Sequence, residues 1–228
     1  MKQRKRALGI FLLVAILVTI IIVSLILYKI PQGAIESNKI AVIPINGLIT
    51  SGDMVSPGSG FLYENTITSG GIINFIEAAN KDKNIKGVIL NINSPGGTVV
   101  GSKEIVDAIK KVDKPVVALI RDVGASGAYW VASATDLIIA DPLSVTGSIG
   151  VFGGYLEFSD LMSKYGVEFH SIKSGKYKDL GNQFVNLTEE GERILQGKLG
   201  IIHDYFLEDV NKNRKRDDFF LMYINSSA

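Results

Sequence analysis

The chain has 228 residues, with 24 Lys and Arg against 23 Asp and Glu and a net charge of +1, so its total charge gives no reason to expect a nucleic-acid partner. It has no cysteine, which excludes disulfides, thiolate metal sites, a cysteine nucleophile and a lipidated-cysteine anchor. Only His170 and His203 supply imidazoles, which narrows the choice of general base before any motif is read.

Residues 1–6 form a basic flank with Lys2, Arg4, Lys5 and Arg6, and an apolar run follows from Ala7 to Tyr28, interrupted only by Thr19 and Ser24. As a helix, residues 7–28 would reach about 33 Å, the thickness of a bilayer core. Tyr28-Lys29-Ile30-Pro31 is a poor cleavage site, so the run is predicted to be a retained single-pass anchor rather than a removed signal. With the basic cluster before the span and only Lys29 just after it, the N-terminus is expected in the cytoplasm and the remainder outside.

Residues 29–38 read as a linker, and Lys39 to Ile45 as the first strand of the domain. Gly52 to Gly60 is a Gly/Ser/Pro loop, after which Ile72, Phe75, Ile76 and Ala79 fall at helical spacing. Gly87 to Ile92 is a short buried strand, Asn93 to Gly97 a turn, and Ile105, Ala108, Ile109 and Val112 mark the next helix. Val116 to Ile120 is a second buried strand, followed by a turn at Ser126 and a helix through about Ser133. Strands are predicted at Leu137 to Ala140, Ser148 to Phe152 and Val167 to Ile172, with a helix over Phe158 to Tyr165. Thr188 and two glutamates open a last helix whose apolar face is Leu195, Leu199, Ile202, Phe206 and Val210. Short buried strands alternating with helices indicate one α/β domain with largely parallel pairing over 39–210.

Two turns carry candidate chemistry. In Gly124-Ala125-Ser126-Gly127 a serine lies between small residues at a strand-to-helix turn, the setting of an exposed nucleophile, and the Gly127 N–H would point at developing negative charge. In Asn93-Ser94-Pro95-Gly96-Gly97, at the end of the preceding strand, Gly97 could offer a second N–H. The same residues also serve plain close packing and a tight turn. With histidine scarce, lysine leads as the base, and Lys173, Lys176 and Lys178 all lie in one segment; spacing does not choose among them. Thr146-Gly147-Ser148 adds hydroxyls that could orient a neutral amine. His170 reads as a packed or edge residue, and pairing it with Ser126 in a Ser-His-Asp arrangement is the alternative. His203 reads as a helix-surface residue.

Taken in order, N-S-P-G-G (Asn93 to Gly97), G-A-S-G (Gly124 to Gly127), T-G-S-I-G (Thr146 to Gly150) and S-G-x-x-K-D (Ser174 to Asp179) resemble the SppA-type signal peptide peptidases. These are membrane-bound Ser-Lys proteases with a ClpP/crotonase-like fold of repeated β-β-α units. The resemblance implies Ser126 as nucleophile, Lys178 as general base, Ser148 as the hydroxyl holding the lysine amine, and Gly97 and Gly127 as oxyanion-hole donors. It further implies a ring-shaped homo-oligomer, apolar peptide substrates such as cleaved signal peptides, and no metal, cofactor or nucleic acid. Residues 211–228 depart from the family pattern and read as an atypical tail, whether truncated, frameshifted or divergent. The alternatives are a related membrane-bound Ser-Lys protease cutting a membrane-protein partner, and a non-catalytic scaffold.

Overall fold

The computed structural model describes residues 13–25, 38–52 and 66–214, in two units, Met1–Asn38 and Lys39–Ala228. In the first unit residues 13–25 are helical (α1), and residues 7–12 and 26–28 of the expected anchor lie outside the described residues. Among the described residues no helix is long and apolar enough to cross a membrane.

The second unit opens with β1 (Lys39–Asn46), which turns at Gly47 (φ 89°) into β2 (Leu48–Thr50); β3 (Thr66–Thr68) then leads into α2 (Ser69–Lys81). Next come β4 (Ile85–Ser94), α3 (Val99–Ile109), β5 (Val116–Ala125), α4 (Gly127–Ser133), β6 (Leu137–Ala140) and β7 (Val145–Gly147). A short α5 (Ser159–Lys164) and a long α6 (Glu189–Arg214) complete the described chain. The helix starts are capped from the sequence: Thr68, Thr98 and Thr188 side chains accept from the amides of Gly71, Gly101 and Gly191.

Every pairing is parallel, in the order β1-β4-β5-β6. Long strands are followed by short ones that pair among themselves. After β1 comes β2, paired with β3; after β4 comes Gly97, bridged to Ile49 of β2. Val117 to Ile120 of β5 pairs with β6, whereas Val123 to Ala125 pairs with β7. This long–short alternation brings the ends of β4 and β5 together, with Ser94 opposite Gly124.

The core lies on one face of the large sheet. Ile43, Ile45, Leu90, Ile92, Ala118 and Ile120 face Ile72 and Ile76 of α2, Ile105 and Val106 of α3, and Trp130 and Val131 of α4. The opposite face is open: Ile40, Val42, Leu137 and Ile139 are exposed, and Ile89, Val117 and Leu119 are half-buried. Parallel sheets are ordinarily covered on both faces, so this apolar layer marks a surface that a further layer would stabilise.

The strands expected at Ser148 to Phe152 and Val167 to Ile172 do not form. An apolar run becomes a strand only where a sheet edge accepts its backbone, and these segments meet none; Phe152 and Ile172 are fully exposed. Val145 to Gly147 does pair, because the C-terminal end of β5 presents that edge.

α6 extends beyond residue 210 and docks on α4. Trp130 stacks on Phe206 at 4.6 Å and donates to Asp209 Oδ2 at 2.8 Å, while Lys110 donates to Asp209 Oδ1 at 2.7 Å. Asn213 donates to Ser133 Oγ and Arg214 to the Thr135 carbonyl. Burial works to raise the Asp209 pKa, but the hydrogen bonds from Lys110 and Trp130 outweigh it and hold the carboxyl below its usual range. A carboxylate with a depressed folded-state pKa stabilises fully above its unfolded value of about 3.9 and loses that contribution as pH falls through the folded value. Asp209→Ala is therefore expected to cost about 2 kcal/mol at neutral pH. It should also shallow the loss of stability below about pH 4, read from urea unfolding at several pH values.

Candidate active site

Ser126 separates β5 from α4 with φ 52° and ψ −125°, a conformation that L side chains rarely adopt. Two backbone bonds hold it there: its N–H donates to the Gly147 carbonyl at 2.8 Å, and its carbonyl accepts from Trp130 N–H at 3.0 Å. Its side chain makes no helix-capping bond, so the hydroxyl of this half-buried residue stays available. A strained, sharply turned serine with an uncommitted Oγ is the geometry a nucleophile needs.

The Asn93–Gly97 turn packs directly against Ser126. A Cβ on Gly96 (φ +106°) would lie 2.7 Å from Gly127 N and 2.9 Å from both the Ala125 carbonyl oxygen and Ser126 Cβ, so only glycine permits this approach. Ser94, wholly buried, fixes the turn: its hydroxyl donates to the Gly47 carbonyl at 2.6 Å and accepts from Gly96 N–H at 3.1 Å. Asn93 ties the turn to β5, donating to Asp122 and accepting from Val123 N–H.

The bridge to β2 then orients Gly97. Ile49 N–H donates to the Gly96 carbonyl and Thr98 N–H to the Ile49 carbonyl, each at 2.8 Å. In such a parallel bridge the central residue turns its own N–H to the opposite side. Gly127 is the first residue of α4, where the amide has no partner within the helix. Both N–H groups lack a partner among the described residues, and they flank the Ser126 turn. A Cβ built on Gly127 would lie 3.3 Å from Gly97 N.

The remaining predicted residues lie apart. Ser148, exposed with φ 52°, directly follows the Gly147 carbonyl that binds Ser126 N–H. Lys178 lies in an exposed turn closed by its own N–H to the Gly175 carbonyl. Among the described residues no hydrogen bond joins Ser126, Ser148 and Lys178. The three lysines nonetheless differ. Lys173 donates to both Asp179 oxygens and Lys176 to Glu190, whereas Lys178 has no carboxylate partner among the described residues. Hydrogen bonds that Lys176 makes to Glu190 and then to Tyr177 push its pKa up, which opposes a neutral amine. Hydrogen bonds from Lys173 and Ser171 hold the Asp179 carboxyl below its usual range, so that carboxylate is already engaged. His170 is exposed beside Glu168, and His203 lies on α6 beside Asp204; neither bonds to Ser126.

With this geometry in place, comparison with known proteins is informative. The model of peptidase family S49 matches residues 108–219, and that of Clp protease matches residues 64–138. The chain resembles the S49 peptidases. Similar proteins include one of Methanocaldococcus jannaschii named as a protease, 38% identical over 62% of this chain and 46% of that protein. Protease 4 of Haemophilus influenzae is 33% identical over 78% of this chain and 28% of its own length. An Enterococcus faecium protein named as a signal peptide peptidase is 32% identical over 82% and 54%, respectively. The chain thus spans about half or less of those relatives.

Three residues of the site escape the motif reading: Ser94 as the staple of the turn, Gly96 as the close-approach residue, and Ser102 beneath Gly127. The signal for Ser102 is its position: it precedes Ile105 and Val106 by three and four residues, on the face that α3 buries.

Proposed function

We propose that this chain is an S49-type, membrane-anchored serine endopeptidase that uses a Ser126–Lys178 dyad outside the cytoplasm to degrade apolar peptides, remnant signal peptides among them. The observation that carries the reading is Ser126 itself, held at a strained turn with a free hydroxyl between two unpaired glycine N–H groups. Ser126 Oγ attacks the scissile carbonyl as neutral Lys178 takes its proton. The Gly97 and Gly127 N–H groups hold the tetrahedral oxyanion, and Lys178 then protonates the departing amine. Water, deprotonated by the same amine, hydrolyses the acyl-enzyme and releases a carboxylic acid. Ser148 holds the Lys178 amine by a neutral hydrogen bond.

Lys178 supports this role by having no carboxylate partner among the described residues, since an ion pair would fix its charge. A lysine at its reference pKa is neutral only about once in 2,500 at pH 7, and lowering it by about 3 units takes roughly 4 kcal/mol of desolvation. In a single chain Lys178 is exposed. The desolvation therefore comes from a neighbouring copy, in a homo-oligomer that also covers the open sheet face. The basic flank and apolar run at 1–28 support a position of the domain beside the outer face of the membrane.

The test is hydrolysis of a fluorogenic apolar peptide by the full chain in detergent. Lys178→Ala and Lys178→Arg are both expected to lose about 10³-fold or more in kcat, while Lys176→Ala stays within about threefold of wild type. Turnover near wild type in Lys178→Ala would reject the dyad. A silent wild type that still assembles would favour the scaffold reading.

A further inference from the structure

Ser102 lies on α3 with no solvent exposure, its amide bonded to the Thr98 carbonyl at 3.0 Å. Its hydroxyl has no hydrogen-bond partner among the described residues. Helical serines commonly return the hydroxyl to a carbonyl three or four residues back; this one does not. A Cβ built on Gly127 would lie 2.2 Å from Ser102 Oγ and 3.1 Å from Ser102 Cβ. The hydroxyl is therefore pressed against the Gly127 Cα, where the Gly97 and Gly127 turns meet. A buried, unpaired hydroxyl costs stability, and alanine at this position would avoid that cost and favour the helix.

We propose that Ser102 is a positioning residue for the oxyanion hole, its buried and unpaired hydroxyl backing Gly127 and turning toward the negative charge that forms between the Gly97 and Gly127 N–H groups. The proposal rests on Ser126 being the nucleophile. A hydroxyl already bonded to a carbonyl would be committed in the resting enzyme. An unpaired one rotates about its Cβ–Oγ bond as charge develops, in a place closed to water, where a dipole acts most strongly. Because Ser102 touches Gly127 rather than the substrate, its effect is confined to the transition state and leaves substrate binding alone.

The experiment compares wild type, Ser126→Ala and Ser102→Ala as full chains in detergent. It measures hydrolysis of a fluorogenic apolar peptide, affinity for a peptide aldehyde that adds to Ser126 Oγ, and the thermal midpoint. Ser102→Ala is expected to lower kcat about tenfold, keep KM within about twofold, weaken aldehyde binding by the same tenfold, and leave the midpoint equal or higher. An unchanged kcat overturns the proposal. So does a fall in kcat accompanied by a lower thermal midpoint, which would make Ser102 a packing residue only. A wild type that neither cleaves nor binds the aldehyde, or a Ser126→Ala protein that cleaves, overturns the nucleophile assignment and this proposal with it. An active wild type and an inert Ser126→Ala protein beside a fully active Ser102→Ala overturn this proposal alone.

Discussion

Ser126→Ala is expected to lower peptidase kcat by about 10⁴-fold or more, leaving only what the oxyanion donors and substrate binding contribute. The fold should survive, because both bonds that hold the turn are made by backbone atoms, Ser126 N–H to Gly147 and Trp130 N–H to Ser126. Ser126→Gly sharpens the test. Glycine takes φ 52°, ψ −125° without the Cβ clash, so this variant is expected to be equally inactive yet more stable by about 1 kcal/mol. Inactivity with increased stability would show that strain at this turn is kept for function. Activity of the full chain on a fluorogenic peptide, with urea unfolding of the same samples, reads both quantities. Activity retained in either variant would remove Ser126 from the mechanism.

Gly97→Ala is expected to lower activity and stability together, for a different reason. Its Cβ would lie 1.9 Å from the Ile49 carbonyl oxygen and 2.6 Å from Ile49 N, backbone atoms that cannot swing away. The bridge to β2 must then open, and with it the orientation of the Gly97 N–H. Loss of one oxyanion donor corresponds to about 10²–10³ in kcat, and the forced shift to about 2–4 kcal/mol of stability. Gly70→Ala is the control. A Cβ there meets nothing within 4 Å, in the first turn of α2 where the backbone is already helical, so stability should rise by about 0.4–1 kcal/mol with activity unchanged. If Gly97→Ala keeps full activity, the bridge does not position a donor.

Much of the domain is legible locally. The strand at Leu137 to Ala140 has the predicted bounds, and Val116 to Ile120 begins where β5 begins, because runs of β-branched and apolar residues bounded by turns have few other stable states. Thr188 opens α6 as its capping pattern predicts. The three-residue strands β2 and β3 were not legible: each is too short to show a period and exists only through pairing with the other. The expected strands at Ser148 to Phe152 and Val167 to Ile172 fail for the complementary reason, having a strand-like composition but no edge to pair with.

The sequence by itself determined the residue types of the site: a serine among small residues, a Pro-Gly-Gly turn, lysine in place of histidine, and a basic flank before an apolar run. These are local properties, set by side-chain volume, backbone freedom and charge. Only the tertiary structure decided which way the groups point. It turned Gly97 N–H outward through a bridge to Ile49, fixed Ser126 through a carbonyl 21 residues away, and put an unpaired Ser102 hydroxyl behind Gly127. It also separated Lys178 from its two ion-paired neighbours. Each of these depends on hydrogen bonds or contacts between segments distant in the chain, whose register follows from packing the sheet and not from any one stretch of residues.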